Sequence, residues 1–150
     1  MVGPGTISEK CRYAVRAIFD LALRDSSKPV KIQEIAFSQG IPQRFLEIIL
    51  VELKHGGFVD SQRGADGGYF LMRSAHELAV GEIIRFMQGG SGRKASAQAK
   101  NSYLAGDFVF AQMWQKVSKA VTDIYDGTTF ANLVAQELTA GGSYAGDYII

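Results

Sequence analysis

The sequence is poor in metal ligands and in any excess of one charge. A single cysteine, Cys11, stands among 150 residues, which excludes an intrachain disulfide and fits a reducing compartment. The 2 histidines, His55 and His76, have no metal-like pairing with it. Cys11 lies in a helical apolar pattern without a neighbouring histidine, so a buried structural thiol is expected rather than a nucleophile, and no enzyme. It is kept as the one candidate redox residue. Lys and Arg number 16 against 15 Asp and Glu, a formal net charge of +1. A bulk positive field therefore cannot argue for nucleic acid, and any DNA contact must rest on where individual cations stand. No apolar run is long enough to span a bilayer and no secretory signal is visible, so a cytoplasmic chain with no membrane partner is expected.

What is present is an ordinary globular composition, 47% hydrophobic and 21% charged. The length suits one domain with a core, or a small domain with a dimerisation arm. The organising stretch is IQEIAFSQGIPQRFLEIILVEL over residues 32–53, followed by KHGGFVDSQRGADGGYFLM. It reads as two short helices, over about 32–38 and 42–55, with a sharp turn at Gly40. Ile35, Ile41, Leu46 and Ile49 must then point inward, and Ala36 lets the helices approach closely. Gly40 can take positive φ, Pro42 suits a first helical turn, and Gly56-Gly57 signals the end of the second helix. A β-hairpin follows, with strands at 58–62 and 69–72 and Asp66, Gly67 and Gly68 as turn chemistry. Helix, turn, helix and hairpin is the winged helix-turn-helix order of DNA readers. Two ordinary packed helices with a glycine corner are the alternative without the hairpin.

Before this stretch, Thr6 and Glu9 have capping-box spacing, which predicts a helix from near Ile7 to Arg24. Rows Tyr13, Ala17, Leu21 and Ala14, Ile18, Ala22 give it a broad apolar face. MVGPG at the start reads as a loose leader, and residues 25–29 as a turn. After the hairpin, residues 78–87 form a short amphipathic helix. GGSGRKASAQA, from Gly89, reads as a linker. Residues 107–125 carry a long, strongly apolar helical pattern, followed by a short final helix over 128–138 and a glycine-rich tail. The expected fold is mainly α with a small β-hairpin wing. Residues 6–88 form the DNA-binding domain, 89–106 a linker, and 107–150 a dimerisation helix with its tail.

KCRYAVRAIFDLAL, IPQRFLEIILVELKHGGFVDSQRGADGGYFL and AVGEIIRFMQG resemble the Rrf-two family of winged-helix transcription regulators (IscR-, NsrR- and CymR-like). The similarity covers about residues 6–88, and more weakly DIYDGTTFANL. It implies a homodimeric DNA-binding regulator, a repressor, on a palindromic double-stranded operator. The long helix would hold the dimer. Cluster-binding members carry three cysteines in the loop after the winged domain. Here that loop is GGSGRKASAQAKNSYLAGD, with none, and thiolates are the usual cluster ligands. No iron–sulfur cluster, metal or other cofactor is expected, and the chain looks closest to the cluster-free CymR type. That likeness points to control of sulfur and cysteine metabolism or of a redox or stress response, through a regulatory protein partner or a small-molecule effector.

Gln43, Arg44 and Glu47 are the expected base readers at the start of the recognition helix, and Arg63 at the wing tip suits a minor groove. Lys31 and Lys54 are expected on phosphates. Gln33, Phe45, Gly67 and Gly68 complete the candidate DNA-binding set. Two alternatives stay open here: Glu47 as a salt-bridge partner and Arg63 as a solvated turn residue. The dimer interface is expected at Phe110, Met113, Trp114, Val117, Val121 and Ile124. The competing function is a winged-helix protein-interaction module that has lost DNA binding.

Overall fold

A computed structural model of the chain describes residues 6–24, 28–89 and 103–147, with side chains to 141. The leader at 1–5, part of the expected turn at 25–27, most of the expected linker at 90–102 and residues 148–150 lie outside the described residues. The elements run α1 (Glu9–Arg24), α2 (Ile32–Gln39), α3 (Gln43–His55), β1 (Val59–Gln62), β2 (Gly68–Leu71), α4 (Val80–Met87), α5 (Asp107–Gly127) and α6 (Phe130–Asp147). The winged helix-turn-helix order is present.

The first helix starts two residues later than the capping-box spacing suggests. Ser8 is the cap: its Oγ accepts the Cys11 N–H at 3.1 Å, and its carbonyl accepts the Arg12 N–H at 3.0 Å. Glu9 is thereby the first helical residue, where a carboxylate suits the positive end of the helix, and it accepts the Tyr13 hydroxyl at 2.8 Å. Cys11, Ala14, Ala17, Ile18, Leu21 and Ala22 face the core, as the two apolar rows require.

The turn is built as its residues dictate. Gly40 takes φ 64°, and the Ile41 N–H reaches back to the Ala36 carbonyl at 3.0 Å. Ile41 and Ala36 are both buried, so the chain turns over an apolar contact. α3 ends in a Schellman motif. The Phe58 N–H donates to the Leu53 carbonyl and the Gly57 N–H to the Lys54 carbonyl, each at 3.0 Å, with Gly57 at φ 79°. Leu53 and Phe58 supply the apolar contact that accompanies such a cap.

The wing is an antiparallel pair in which Val59 faces Leu71 and Gln62 faces Gly68. Gly68 is thus a strand residue, and Phe58 and Met72 lie outside the strands, although the Met72 N–H still donates to the Phe58 carbonyl at 3.0 Å. Val30 adds a third edge by exchanging both backbone hydrogen bonds with Tyr69, each 2.8 Å.

The end of the chain differs most from expectation. The final helix is not a short segment over 128–138 but runs through the tail glycines to Asp147. Phe130 at its start is fully buried in the winged core, and α6 lies along α1. Its entry is held by a short bridge. The Val80 N–H donates to the Thr128 carbonyl at 2.9 Å and the Phe130 N–H to the Leu78 carbonyl at 3.0 Å. α5 behaves otherwise: no residue of it is buried.

Candidate nucleic-acid interface

The orientation of α3 decides which side chains can leave the protein. Leu46, Ile49, Leu50 and Leu53 form its buried stripe. Two polar tethers hold its flanks. Glu52 accepts Lys10 from α1 on one side. Lys54 reaches β1 on the other, 2.8 Å from Ser61 Oγ and 3.5 Å from Asp60 Oδ1. At about 100° per residue, the sector opposite the buried stripe contains Arg44, Ile48, Val51 and His55. All four are exposed. Glu47 lies between that sector and the wing, and Gln43 lies at the wing flank.

Arg44 stands on the outward sector, its guanidinium carbon 5.6 Å from the centroid of the half-exposed Phe45 ring. That cation–π contact restrains the side chain. Arg44 makes no hydrogen bond or ion pair among the described residues. The same holds for Arg63 at the exposed wing tip and for Lys31 at the cap of α2. These three cations therefore keep their donors for a ligand. Glu47 and Gln33 are exposed as well. Lys54, expected on a phosphate, is exposed and fastens α3 to the wing.

Gly67 and Gly68 are needed for the wing's construction. Gly67 is buried, and a Cβ there would run into the Gln62 carbonyl. A Cβ on Gly68, at φ 154°, would run into the Val30 backbone. Only glycine lets the tip fold back so closely.

Sequence reasoning missed Asp20. It is 1% exposed, and its carboxylate accepts Arg24 Nε at 2.7 Å, Ser38 Oγ at 2.7 Å and Gln39 Nε2 at 3.1 Å. The charge is paired and hydrogen-bonded, as burial demands, and it ties α1 to the end of α2. An acid inside the otherwise apolar face of α1 was the available signal. Ile48 and Val51, which stand outside the buried stripe, were given no role by the sequence. Cys11 is fully buried, and burial pushes its thiol pKa up, away from the reactive thiolate.

α5 carries the other exposed face. Phe110, Trp114, Val117, Val121 and Ile124 follow one another at steps of four and three residues, the seam of a coiled coil. Phe110, Trp114 and Ile124 are more than half exposed, and Met113 flanks them. Asp126 anchors the base of the helix by accepting Arg85 Nη1 of α4 at 2.6 Å. Gly81 makes room there, since a Cβ would meet the Asp126 carboxylate.

A family model described as Rrf2, iron-dependent transcriptional regulator, matches residues 7–136. The chain belongs to the Rrf2 family. The transcriptional regulator IscR of Pectobacterium atrosepticum is 35% identical over 129 residues, 85% of this chain and 78% of the relative. Among solved structures, T. potens IscR superposes with a TM-score of 0.72 at 34% identity, covering 87% of each chain. CymR of B. subtilis, the global cysteine regulator, gives 0.73 at 27% identity, over 87% of this chain and 97% of that one. This Rrf2 protein is accordingly a DNA-binding transcription regulator with a winged-helix fold, and not an enzyme. Among the described residues no helix is long and apolar enough to cross a membrane.

Proposed function

We propose that this Rrf2 regulator is a homodimeric, sequence-specific repressor that works without an iron–sulfur cluster. The observation that carries the dimer is α5. Its 21 residues would span about 30 Å, with an apolar heptad seam open to solvent. A lone helix of this character is stabilised by burying the seam, and a second copy supplies a matching one. Two winged domains on such a stem would meet a palindromic operator on one side of the duplex. Arg44 and Arg63 would then carry specificity, with Gln43 and Glu47 assisting.

The donor set supports the cluster-free reading. Cluster ligation requires several thiolates, and the only cysteine is sealed in the core. The residues present do not fit a thiolate-held cluster. A control signal must then arrive by a protein partner or a small effector. The likeness to a cysteine regulator supports genes of sulfur and cysteine metabolism as the target, and a cytoplasmic location follows from the task.

One experiment tests the core of this proposal. Sedimentation of the full chain should give dimers, and a Val117→Glu, Val121→Glu double variant should give monomers that no longer retard the selected operator duplex. Dimers that persist in the variant would move the interface elsewhere. Stoichiometric iron and sulfide after anaerobic purification would overturn the cluster-free part.

A further inference from the structure

Ile48 and Val51 present aliphatic surface outside the buried stripe of their helix. The buried stripe of α3 is complete without them, and they are 56% and 48% exposed. As β-branched residues they are poorer helix formers than the Lys, Glu or Gln usual on exposed helix faces. They stand in the outward sector with Arg44, between the flanks held by the Lys10–Glu52 and Lys54–Asp60 tethers, and Ile48 also borders a groove with Phe45, Tyr13 and Lys10. That sector is also free of ion pairs, with unpaired Lys31 and Arg63 on the neighbouring elements. An aliphatic pair framed by available cations is suited to a polyanion that carries methyl groups.

DNA meets this description in its major groove. Thymine presents a C5-methyl there, and no other base does. A guanine–cytosine pair has a bare C5–H in place of that methyl, beside donors and acceptors along the same edge. Aliphatic side chains would desolvate those without repaying them. Ile48 follows Arg44 by four residues, about 6 Å along the axis, or one to two base-pair steps. We infer that Ile48 and Val51 read thymine methyl groups, giving each half-site A·T positions beside the base read by Arg44. The inference rests on the DNA-binding reading above and adds apolar readout to its polar contacts.

The test removes the methyl from the DNA and leaves the protein intact. The full chain selects a consensus from a pool of randomised duplexes. Each thymine of that duplex is then replaced singly by deoxyuridine, which keeps every hydrogen-bonding group. One or two replacements per half-site should weaken binding about four-fold each, the effect of one buried methyl. Each such replacement should have no further effect on the one variant, Ile48→Ala or Val51→Ala, that lacks the side chain reading it. Thermal melting checks that both variants stay folded at the temperature of the binding assay. A consensus insensitive to deoxyuridine throughout would overturn the methyl readout while DNA recognition stands. So would equal losses in the alanine variants. If the free protein self-associates through this face, Ile48→Ala would weaken that association and the inference fails. If no consensus emerges and no duplex is retarded, DNA recognition itself fails, and the inference with it.

Discussion

Ser38 donates its hydroxyl hydrogen to Asp20 across 2.7 Å, joining the end of α2 to the middle of α1. The bond sits at the one buried carboxylate among the described residues, shared with Arg24 and Gln39. It fixes how the helix-turn-helix is carried by the first helix. Asp20→Ala would leave three donors without their acceptor and should lower stability by about 3 kcal/mol. Asp20→Asn keeps one accepting oxygen and should lose less. Urea denaturation of both variants gives the comparison. Equal, negligible losses would mean that the network is not a support.

Gly68→Ala should disrupt the wing. Its φ of 154° and the Val30 backbone both oppose a Cβ. The expected loss is about 2 kcal/mol or more, from strain and displaced pairing. Hydrogen exchange at the Val30 and Tyr69 amides should accelerate in the variant, since those two residues exchange the paired bonds. Unchanged protection would show that the bridge tolerates the methyl.

Glu82 makes part of the stability acid-sensitive. Burial raises its pKa, but hydrogen bonds from Arg73 and the Ala79 amide, with the charges of Arg73 and Arg85, outweigh it and lower the value below the ordinary 4.5. The unfolded chain therefore takes up this proton at a higher pH than the folded one. The contribution is full above pH 4.5 and fades as pH falls through the lowered folded value. Glu82→Gln should flatten the loss of stability below pH 4.5, read from urea midpoints across that range. An unaltered acid slope would count against the Arg73 pairing.

Cys11 should react with a thiol reagent only after unfolding, because the side chain is fully buried and its pKa is raised. Native protein mixed with a chromogenic disulfide should show little reaction over the dead time and complete reaction in guanidinium. Fast native labelling would restore a redox role for this residue.

Binding selections separate the cations by role. Arg44→Ala should relax preference at one base position, at a cost of about 1–3 kcal/mol in discrimination. Arg63→Ala should weaken binding most on A·T-rich flanks, where the minor groove is narrow. Lys31→Ala should lower affinity for all sequences alike and reduce the salt slope by about one. Lys54→Ala should act through a loosened wing, because that side chain is tethered to β1. A selected motif unchanged by Arg44→Ala would mean that α3 presents a different face.

The elements legible in the sequence are those coded over one or two turns of chain. The apolar rows of α1, the inward set Ile35, Ile41, Leu46 and Ile49, and the glycines closing α2 and α3 all depend on neighbours within a few residues. Helical periodicity and backbone freedom at Gly40 and Gly57 therefore sufficed. The start of α1 was misplaced because Thr6 and Ser8 are both good caps and only the realised geometry chooses between them. The length of α6 was underread because glycines Gly141 and Gly142 speak against a helix interior by propensity alone, whereas packing along α1 outweighs a cost of about 1 kcal/mol for each.

The sequence by itself determined the winged helix-turn-helix order and the long apolar pattern of α5, since each is a pattern of spacing along the chain, and its motifs carried the family resemblance. Tertiary structure decided which of those residues are free to act. It buried Phe130 and Cys11, tethered Lys54 to the wing, turned Gly67 and Gly68 into points of close approach, and paired Asp20 with α2. It also left Arg44, Ile48 and Val51 facing out together. The physical reason is that burial and pairing are relations between distant segments. An exposed isoleucine and a core isoleucine differ only in what the rest of the chain brings against them.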